Sequence, residues 1–200
     1  MFLKVAVSSL LSRKGSAVMT LMAISVAIFV LLGIEQIRQQ ARDSFASTVS
    51  GVDLIVGAKT GSLNLLLYSV FRIGSPTDNI SWQAYREIAD SNDVAWAIPI
   101  SLGDSHEGYR VVGTTQAFFE HFSFGKKRSL AFFEGEAFEG TFDAVLGSEV
   151  ASALGYSVGT EIILAHGLAS TSFTKHDNQP FVVVGVLAPT GTPVDQTIHV

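Results

Sequence analysis

The sequence predicts an α+β fold: one N-terminal transmembrane helix, then a mixed α/β domain outside the membrane. Three observations carry this. The 200 residues are 48% hydrophobic and 16% charged, with a mean hydropathy of +0.37, more apolar mass than a single soluble domain needs. The excess is concentrated in one uncharged run, Gly15 to Ile34. Beyond it, short β-type runs alternate with short amphipathic segments and turn signals.

The composition also excludes classes. A disordered tail would be apolar-poor and charge-rich. There is no cysteine, which removes disulfide scaffolds and thiolate metal sites. A net charge of −5 and a pI of about 5.5 argue against a nucleic-acid partner.

The run GSAVMTLMAISVAIFVLLGI is twenty residues long, the length of a bilayer-spanning helix. Ten of its residues are Leu, Ile, Val or Phe; at about −0.3 to −0.6 kcal/mol each they favour insertion by roughly 3–6 kcal/mol. A buried helix of a soluble core is the bland alternative. A signal peptide has a shorter apolar region, about 7–15 residues, and a small-x-small cleavage site; here Glu35, Gln36, Ile37 and Arg38 follow instead. The run reads as an uncleaved anchor. Lys4, Arg13 and Lys14 precede it and no acid occurs before Glu35, whereas Arg38 and Arg42 follow it beside Glu35 and Asp43. The positive-inside rule therefore puts the N-terminus in the cytoplasm. Residues 35–200 fall outside and retain 10 basic against 18 acidic side chains, a charge of about −8. Residues 1–14 form a leader, whose Phe2, Val5 and Leu10 suit either a short interfacial helix or an extension of the span.

Each element beyond the span has its own signal. Glu35–Val49 continues the helix on a polar register, with a narrow apolar stripe of Ile37, Ala41, Phe45, Ala46 and Val49, and Gly51 is its stop. Val52–Val56 is β-type, Gly57–Asn64 a loop, and Leu65–Phe71 strongly apolar. Pro76, Asp78 and Asn79 make a turn; Ser81 N-caps a helix over 82–91 that buries Trp82, Tyr85, Ile88 and Ala89. Val94–Leu102 and Tyr109–Gly113 are strands joined by the polar turn Gly103–Gly108, and Gln116–Phe122 is a short helix. Asp143–Leu146 is a strand. Ser148–Leu154 is a helix with Ser148 as N-cap, Glu149 in its first turn and Gly155 at C′. Glu161–Ala165 and Pro180–Leu187 are strands around the polar stretch Gly167–Gln179. Pro189, Gly191 and Pro193 turn the chain into Thr197–Val200.

Chemistry is sparse. Gly57-Ala58-Lys59-Thr60 fails the phosphate-loop pattern, because an alanine separates glycine from lysine and no glycine stands five residues earlier. No Gly-x-Ser-x-Gly elbow occurs. His106, His121, His166, His176 and His199 form no H-x-x-x-H pair. His166, His176, Asp177 and His199 still fall where strands could converge, leaving a spatial metal site against the reading that His176-Asp177 is exposed and His121 caps a helix. Glu134, Glu136 and Glu139 read as a solvated loop between glycines. Eight phenylalanines lie between Phe118 and Phe142; they suit an aromatic core or an exposed apolar platform. No catalytic, cofactor-binding or metal-binding residue is assigned, and no cofactor is expected.

Several stretches carry a resemblance: V-V-G-T-T-Q-A-F-F (Val111–Phe119), E-G-E-A-F (Glu134–Phe138), A-V-L-G-S-E-V-A-S-A-L-G (Ala144–Gly155), S-V-G-T-E-I-I-L (Ser157–Leu164) and F-V-V-V-G-V-L (Phe181–Leu187). With a basic leader and a single span ahead of them, they resemble the MacB/FtsX-like family of ABC-transporter permeases over nearly the whole chain. The resemblance implies a periplasmic MacB-like core domain over 35–200 with an inserted β-rich lobe. It implies a bacterial inner-membrane permease subunit, paired with a second protomer and a cytoplasmic ATPase, and with a periplasmic partner protein as a further candidate. Such a subunit transmits motion outward to act on peptides, lipoproteins or proteins. The family continues through the rest of this domain and three further spans, so the sequence reads as a fragment. Gly57–Ile80 is longer and more apolar than the family stretch, which suggests a subgroup with its own partner. A membrane-anchored solute-binding or adaptor module is the competing class; an anchored hydrolase lacks a nucleophile–base set.

Overall fold

The structure, a computed structural model, describes residues 12–48, 50–74, 78–166 and 180–200. The interfacial reading of residues 1–11, the Pro76 turn, the stretch Gly167–Gln179, and with it His176 and Asp177, lie outside these residues. The chain forms two compact units, 1–45 and 46–200.

The described part of the first unit is helical: helix α1, Lys14–Thr48, is unbroken over 35 residues, and its last three belong to the second unit. Nothing in its sequence interrupts it: no proline occurs, and Thr20 returns its hydroxyl to the Ser16 carbonyl at 3.0 Å. Residues Lys14–Gln40 are long and apolar enough to cross a bilayer, and none of that stretch is buried by protein. A soluble core helix would hide its leucines, whereas Leu21, Phe29 and Leu32 are 61–77% exposed. On the polar side of the span, Arg38 pairs with Glu35 through two hydrogen bonds of 2.9 and 3.0 Å.

The second unit is α+β. Its elements are α2 (Ser62–Ser69), α3 (Trp82–Ala89), β1 (Ser101–His106), β2 (Tyr109–Gly113), α4 (Ala117–His121), β3 (Ser123–Phe124), β4 (Arg128–Ser129) and β5 (Phe132–Gly135). They continue with β6 (Asp143–Leu146), α5 (Ser148–Leu154), β7 (Glu161–Ile162), β8 (Ala165–His166), β9 (Phe181–Leu187), a 3₁₀ turn (Pro193–Gln196) and β10 (Thr197–His199). Eight strands make one sheet, ordered β5-β9-β6-β10-β2-β1-β8, with β7 also on β9. The pairs β6–β9 and β10–β2 are parallel and the rest antiparallel. β3 and β4 form a separate hairpin.

Register assigns the two faces. Leu102 lies opposite Val112, Val112 beside His199, and His199 beside Val145, so these four share one face. That face packs Phe118, Phe119 and Phe138 with Val145, Leu187 and Val194. On the other face Val111, Ile198 and Leu146 join Ala144, Val183 and Ile162 beneath Val150 and Ala151 of α5. Four phenylalanines, 118, 119, 124 and 138, are buried, which makes the cluster mainly core. Phe133, at 78% exposure on the edge strand β5, and Phe142, at 41%, are the exceptions.

Several local expectations are corrected. Val52–Val56 is extended but unpaired, and α2 begins inside the expected loop, at Ser62. The strand expected over Val94–Leu102 starts only at Ser101 and runs through Gly103 to His106. The turn is just Glu107-Gly108, with φ of 48° and 85°, a two-residue hairpin connection that needs left-handed backbone at both positions. Glu161–Ala165 is not one strand: β7 pairs with β9 and β8 with β1. Glu134, expected in a solvated loop, lies in strand β5, which pairs with β9. Helix α3 is capped by Ser81 as expected, its Oγ accepting from the Ala84 N–H at 3.1 Å. Yet α3 buries none of its residues, and Trp82 is 62% exposed. Ser148 is inside α5, and its N-cap is Gly147. A Cβ on Gly147 would come within 2.6 Å of the Asp195 carbonyl carbon, so no side chain fits the capping position. Gly155 ends α5 at φ 69° as C′.

Candidate functional site

The second unit carries three polar arrangements. The first is the turn entering β10. Thr192 N-caps the 3₁₀ helix and Pro193 occupies its first turn. The buried Asp195 carboxylate accepts from the Thr190 N–H at 2.9 Å, the Gly191 N–H at 2.7 Å and the Thr190 hydroxyl at 2.8 Å. Thr190 and Thr192 share a further hydroxyl contact of 2.7 Å. Every acceptor direction is taken by the chain, which makes this a structural knot.

The second arrangement surrounds His199, wholly buried at the centre of the sheet. Its ring stacks on Phe118 at 4.8 Å and meets Phe119 edge-on at 6.0 Å. Nε2 lies 3.2 Å from the Thr197 hydroxyl, which donates to the Val194 carbonyl, so Nε2 is the donor toward Thr197. Nδ1 has no partner at hydrogen-bonding geometry. Burial pushes the imidazole down to about 3; the nearby Arg72 charge adds to this and a backbone contact at Val145 opposes it. The ring is held neutral.

The third arrangement overlies the same sheet face. Tyr68 of α2 donates to the Leu102 carbonyl at 2.9 Å. Arg72, at the end of the same segment, is 7% exposed and donates to the Ser69 carbonyl. Burial lowers its guanidinium to about 10, with Tyr68 opposing. Burial likewise raises Tyr68, against the Leu102 bond and the charges of Arg110 and Arg72. Arg110 donates to the Gly74 carbonyl.

The described histidines do not converge. β8 and β10 are separated by β2 and β1, so the backbones of His166 and His199 stand roughly 14 Å apart at about 4.8 Å per strand. His106 is spent on structure: Nδ1 lies 2.7 Å from the Ile163 carbonyl and Nε2 3.1 Å from the Tyr156 hydroxyl. His121 stacks on Trp96 at 5.3 Å. Among the described residues no three His, Cys, Asp or Glu side chains form a metal-binding group. Lys59 lies in irregular chain before α2, with no phosphate-loop geometry. Glu134, Glu136 and Glu139 are exposed. An open cleft of about 630 Å³ runs between Thr114–Ala117 and Phe138–Thr141; Gln116 closes one side by donating to the Phe138 carbonyl at 3.0 Å. It holds Glu120 and Glu139 but no nucleophile–base pair.

With the geometry so defined, comparison with known proteins is decisive in one respect. The model of the MacB-like periplasmic core domain matches residues 17–200. The chain belongs to that family. It is therefore a MacB-like permease chain, of the ABC-transporter permease class, whose apolar helix is its membrane element. No curated protein matches it significantly. Among solved structures it is similar to a domain from Porphyromonas gingivalis provisionally described as a permease protein, at 16% identity and a TM-score of 0.38. That match covers 59% of this chain and about half, 54%, of the other; at that score the likeness carries no argument.

Sequence reading missed the buried Arg72 and the Asp195 knot. The second had a signal: Thr190-Gly191-Thr192-Pro193-Val194-Asp195 sets a capping threonine before a proline and a carboxylate in the first turn after it. Arg72 had none, because a lone arginine after an apolar run reads as a solvated end.

Proposed function

We propose that this MacB-like chain is the permease segment through which a separate cytoplasmic ATPase moves a periplasmic domain, for export or release of a peptide, lipoprotein or similar substrate. In this reading the leader spans 1–14, the membrane helix 15–34 and the periplasmic core domain 35–200. The N-terminus is cytoplasmic, the working unit holds two permease protomers, and no catalytic turnover belongs to this chain. The observation that carries it is the continuity of α1. The helix does not end where its apolar stretch does: fourteen more residues, 35–48, follow Ile34 without a break, about 21 Å at 1.5 Å per residue. A tether would need no such order, whereas a lever requires it.

The test is an insertion of two glycines after Gln40 in the complete permease, assembled with its ATPase. Each glycine costs about 1 kcal/mol of helix propensity, and the buried apolar core starts only at Val70, so the outer unit keeps its fold. Spin labels on the exposed Gln83 of two protomers report their separation with and without ATP. The expected result is a nucleotide-dependent distance change in the parent that disappears in the insertion variant while ATP hydrolysis continues. If the change persists with the helix shown to be broken, α1 is only an anchor and the adaptor reading takes its place.

A further inference from the structure

The Arg72 arrangement is costly in two ways that nothing among the described residues repays. The guanidinium is more than nine-tenths buried, yet no carboxylate pairs with it among the described residues; its one hydrogen bond is to the neutral Ser69 carbonyl. A buried charge without a counter-charge is strongly unfavourable. Its backbone sits at φ 59°, the left-handed residue just past α2, where the Ile73 N–H closes back on the Leu67 carbonyl at 3.0 Å and ends the helix. A second cation stands close by: Arg110 and Arg72 both act electrostatically on the Tyr68 hydroxyl, and Arg110 is steered by the Gly74 carbonyl two residues beyond Arg72. Arg110 and His199 lie on the same sheet face, since Arg110 is two residues before Val112 on β2 and Val112 pairs with His199.

We infer that Arg72, with Arg110 beside it, forms an oxyanion-binding site on this sheet face, taking a carboxylate or phosphate group. A guanidinium presents planar paired donors that suit such a group. Burial and the bond to the Ser69 carbonyl hold the side chain in place before the anion arrives, so binding does not have to order a long flexible chain. Carboxylate and phosphate share the chemistry, and an anionic lipid headgroup is a second source of the latter. The inference rests on the second unit alone and stands or falls independently of the lever.

The test uses the whole chain in a neutral detergent, with thermal unfolding as the readout. Inorganic phosphate and acetate are titrated against chloride at constant ionic strength, and micelles doped with phosphatidylglycerol form a third arm. The variants are Arg72→Met and, as a surface control, Arg86→Gln. A specific site gives a saturating rise in Tm, worth RT ln(1 + [L]/Kd), in the parent and in R86Q. General salting effects instead rise linearly and equally in all variants. The proposal expects saturation that R72M abolishes, and an anion-free R72M at least as stable as the parent, because an uncompensated charge has been removed. Saturation with phosphatidylglycerol alone assigns the group to lipid; saturation with phosphate or acetate assigns it to a soluble anion. An equal, linear response in parent and R72M overturns the site. So does an anion-free R72M that loses more than about 5 °C, which makes Arg72 a strut. Should R72M not fold, Arg110→Gln must weaken the apparent phosphate or acetate affinity at least threefold, and an unchanged affinity is equally fatal.

Discussion

Replacing Asp195 by alanine should destabilise the second unit by about 2–4 kcal/mol. Its carboxylate answers three donors: the Thr190 N–H, the Thr190 hydroxyl and the Gly191 N–H, at 2.7–2.9 Å. Not all three are lost equally. Gly191 is exposed, so water replaces the carboxylate there at little cost. The Thr190 hydroxyl can turn to Thr192, 2.7 Å away, but Thr192 is the donor in that contact while Thr190 serves Asp195, so the swap frees the Thr192 proton in its place. The Thr190 N–H has no second acceptor and is buried, leaving an unpaired donor at about 1–3 kcal/mol. Loss of charge-assisted bonding adds a further amount of about 1 kcal/mol. For a unit near 150 residues, each kcal/mol moves Tm by about 2–4 °C, so D195A should melt roughly 5–15 °C below the parent. Near-ultraviolet circular dichroism of the whole chain follows the transition through the packed aromatic cluster. D195N, which keeps one acceptor oxygen, should fall between. A loss under about 1 kcal/mol in D195A would refute the argument, since it would show that the turn does not need its carboxylate.

Two further outcomes follow from the interior. His199 has a folded value near 3 against about 6.5 unfolded; between those values the unfolded chain binds the extra proton, so stability contributed above pH 6.5 is lost as pH falls toward 3, by about 1 kcal/mol per pH unit. Urea unfolding of H199Q should show a pH dependence flatter by that slope over pH 4–6, and an unchanged slope would mean the ring is reached by solvent. Gly147→Ala should cost about 1–3 kcal/mol, because its Cβ meets the Val194 and Asp195 backbone, which cannot swing aside; a neutral melting temperature would contradict the close approach of α5 to the turn before β10.

The sequence made some of this legible and concealed the rest for physical reasons. α1 was readable because length and lack of charge suffice to specify a span, and no partner is needed to explain its apolar surface. β6, α5 and its Gly155 stop were readable because strand, helix and left-handed cap follow one another within thirteen residues. The family followed from such local pieces taken in order. Pairing was not readable. The run Glu161–Ala165 looks continuous, but which half joins β9 and which joins β1 depends on partners about twenty and sixty residues away. Nor was the exposure of α3: Trp82, Tyr85 and Ile88 have helical spacing, yet the helix buries none of its residues. His199 misled in the opposite direction. As a residue type it suggests a ligand; in the fold it is a neutral core ring wedged against Phe118.

The contacts just beyond the helix bear on how motion of α1 would enter the sheet. Ser50, two residues past the helix, bridges to Ser123 of the β3–β4 hairpin. Ser123 Oγ donates to the Ser50 carbonyl at 2.9 Å, and the Lys127 N–H donates to Ser50 Oγ at 3.3 Å. The hairpin is short, two residues a side, but it is not loose: Phe124 is buried and Arg128 lies 4.5 Å above its ring. Immediately before it in the chain comes α4, whose Phe118 stacks on His199 in the central strand. Each step is a covalent or packed contact between rigid pieces, and dense packing yields by discrete shifts rather than by gradual compression. Contiguity alone does not establish coupling. The two hydrogen bonds at Ser50 are worth about 1 kcal/mol each, and Thr48 just before them is buried, so the chain leaving α1 is held by burial as well as by those bonds, and the lever reading needs both.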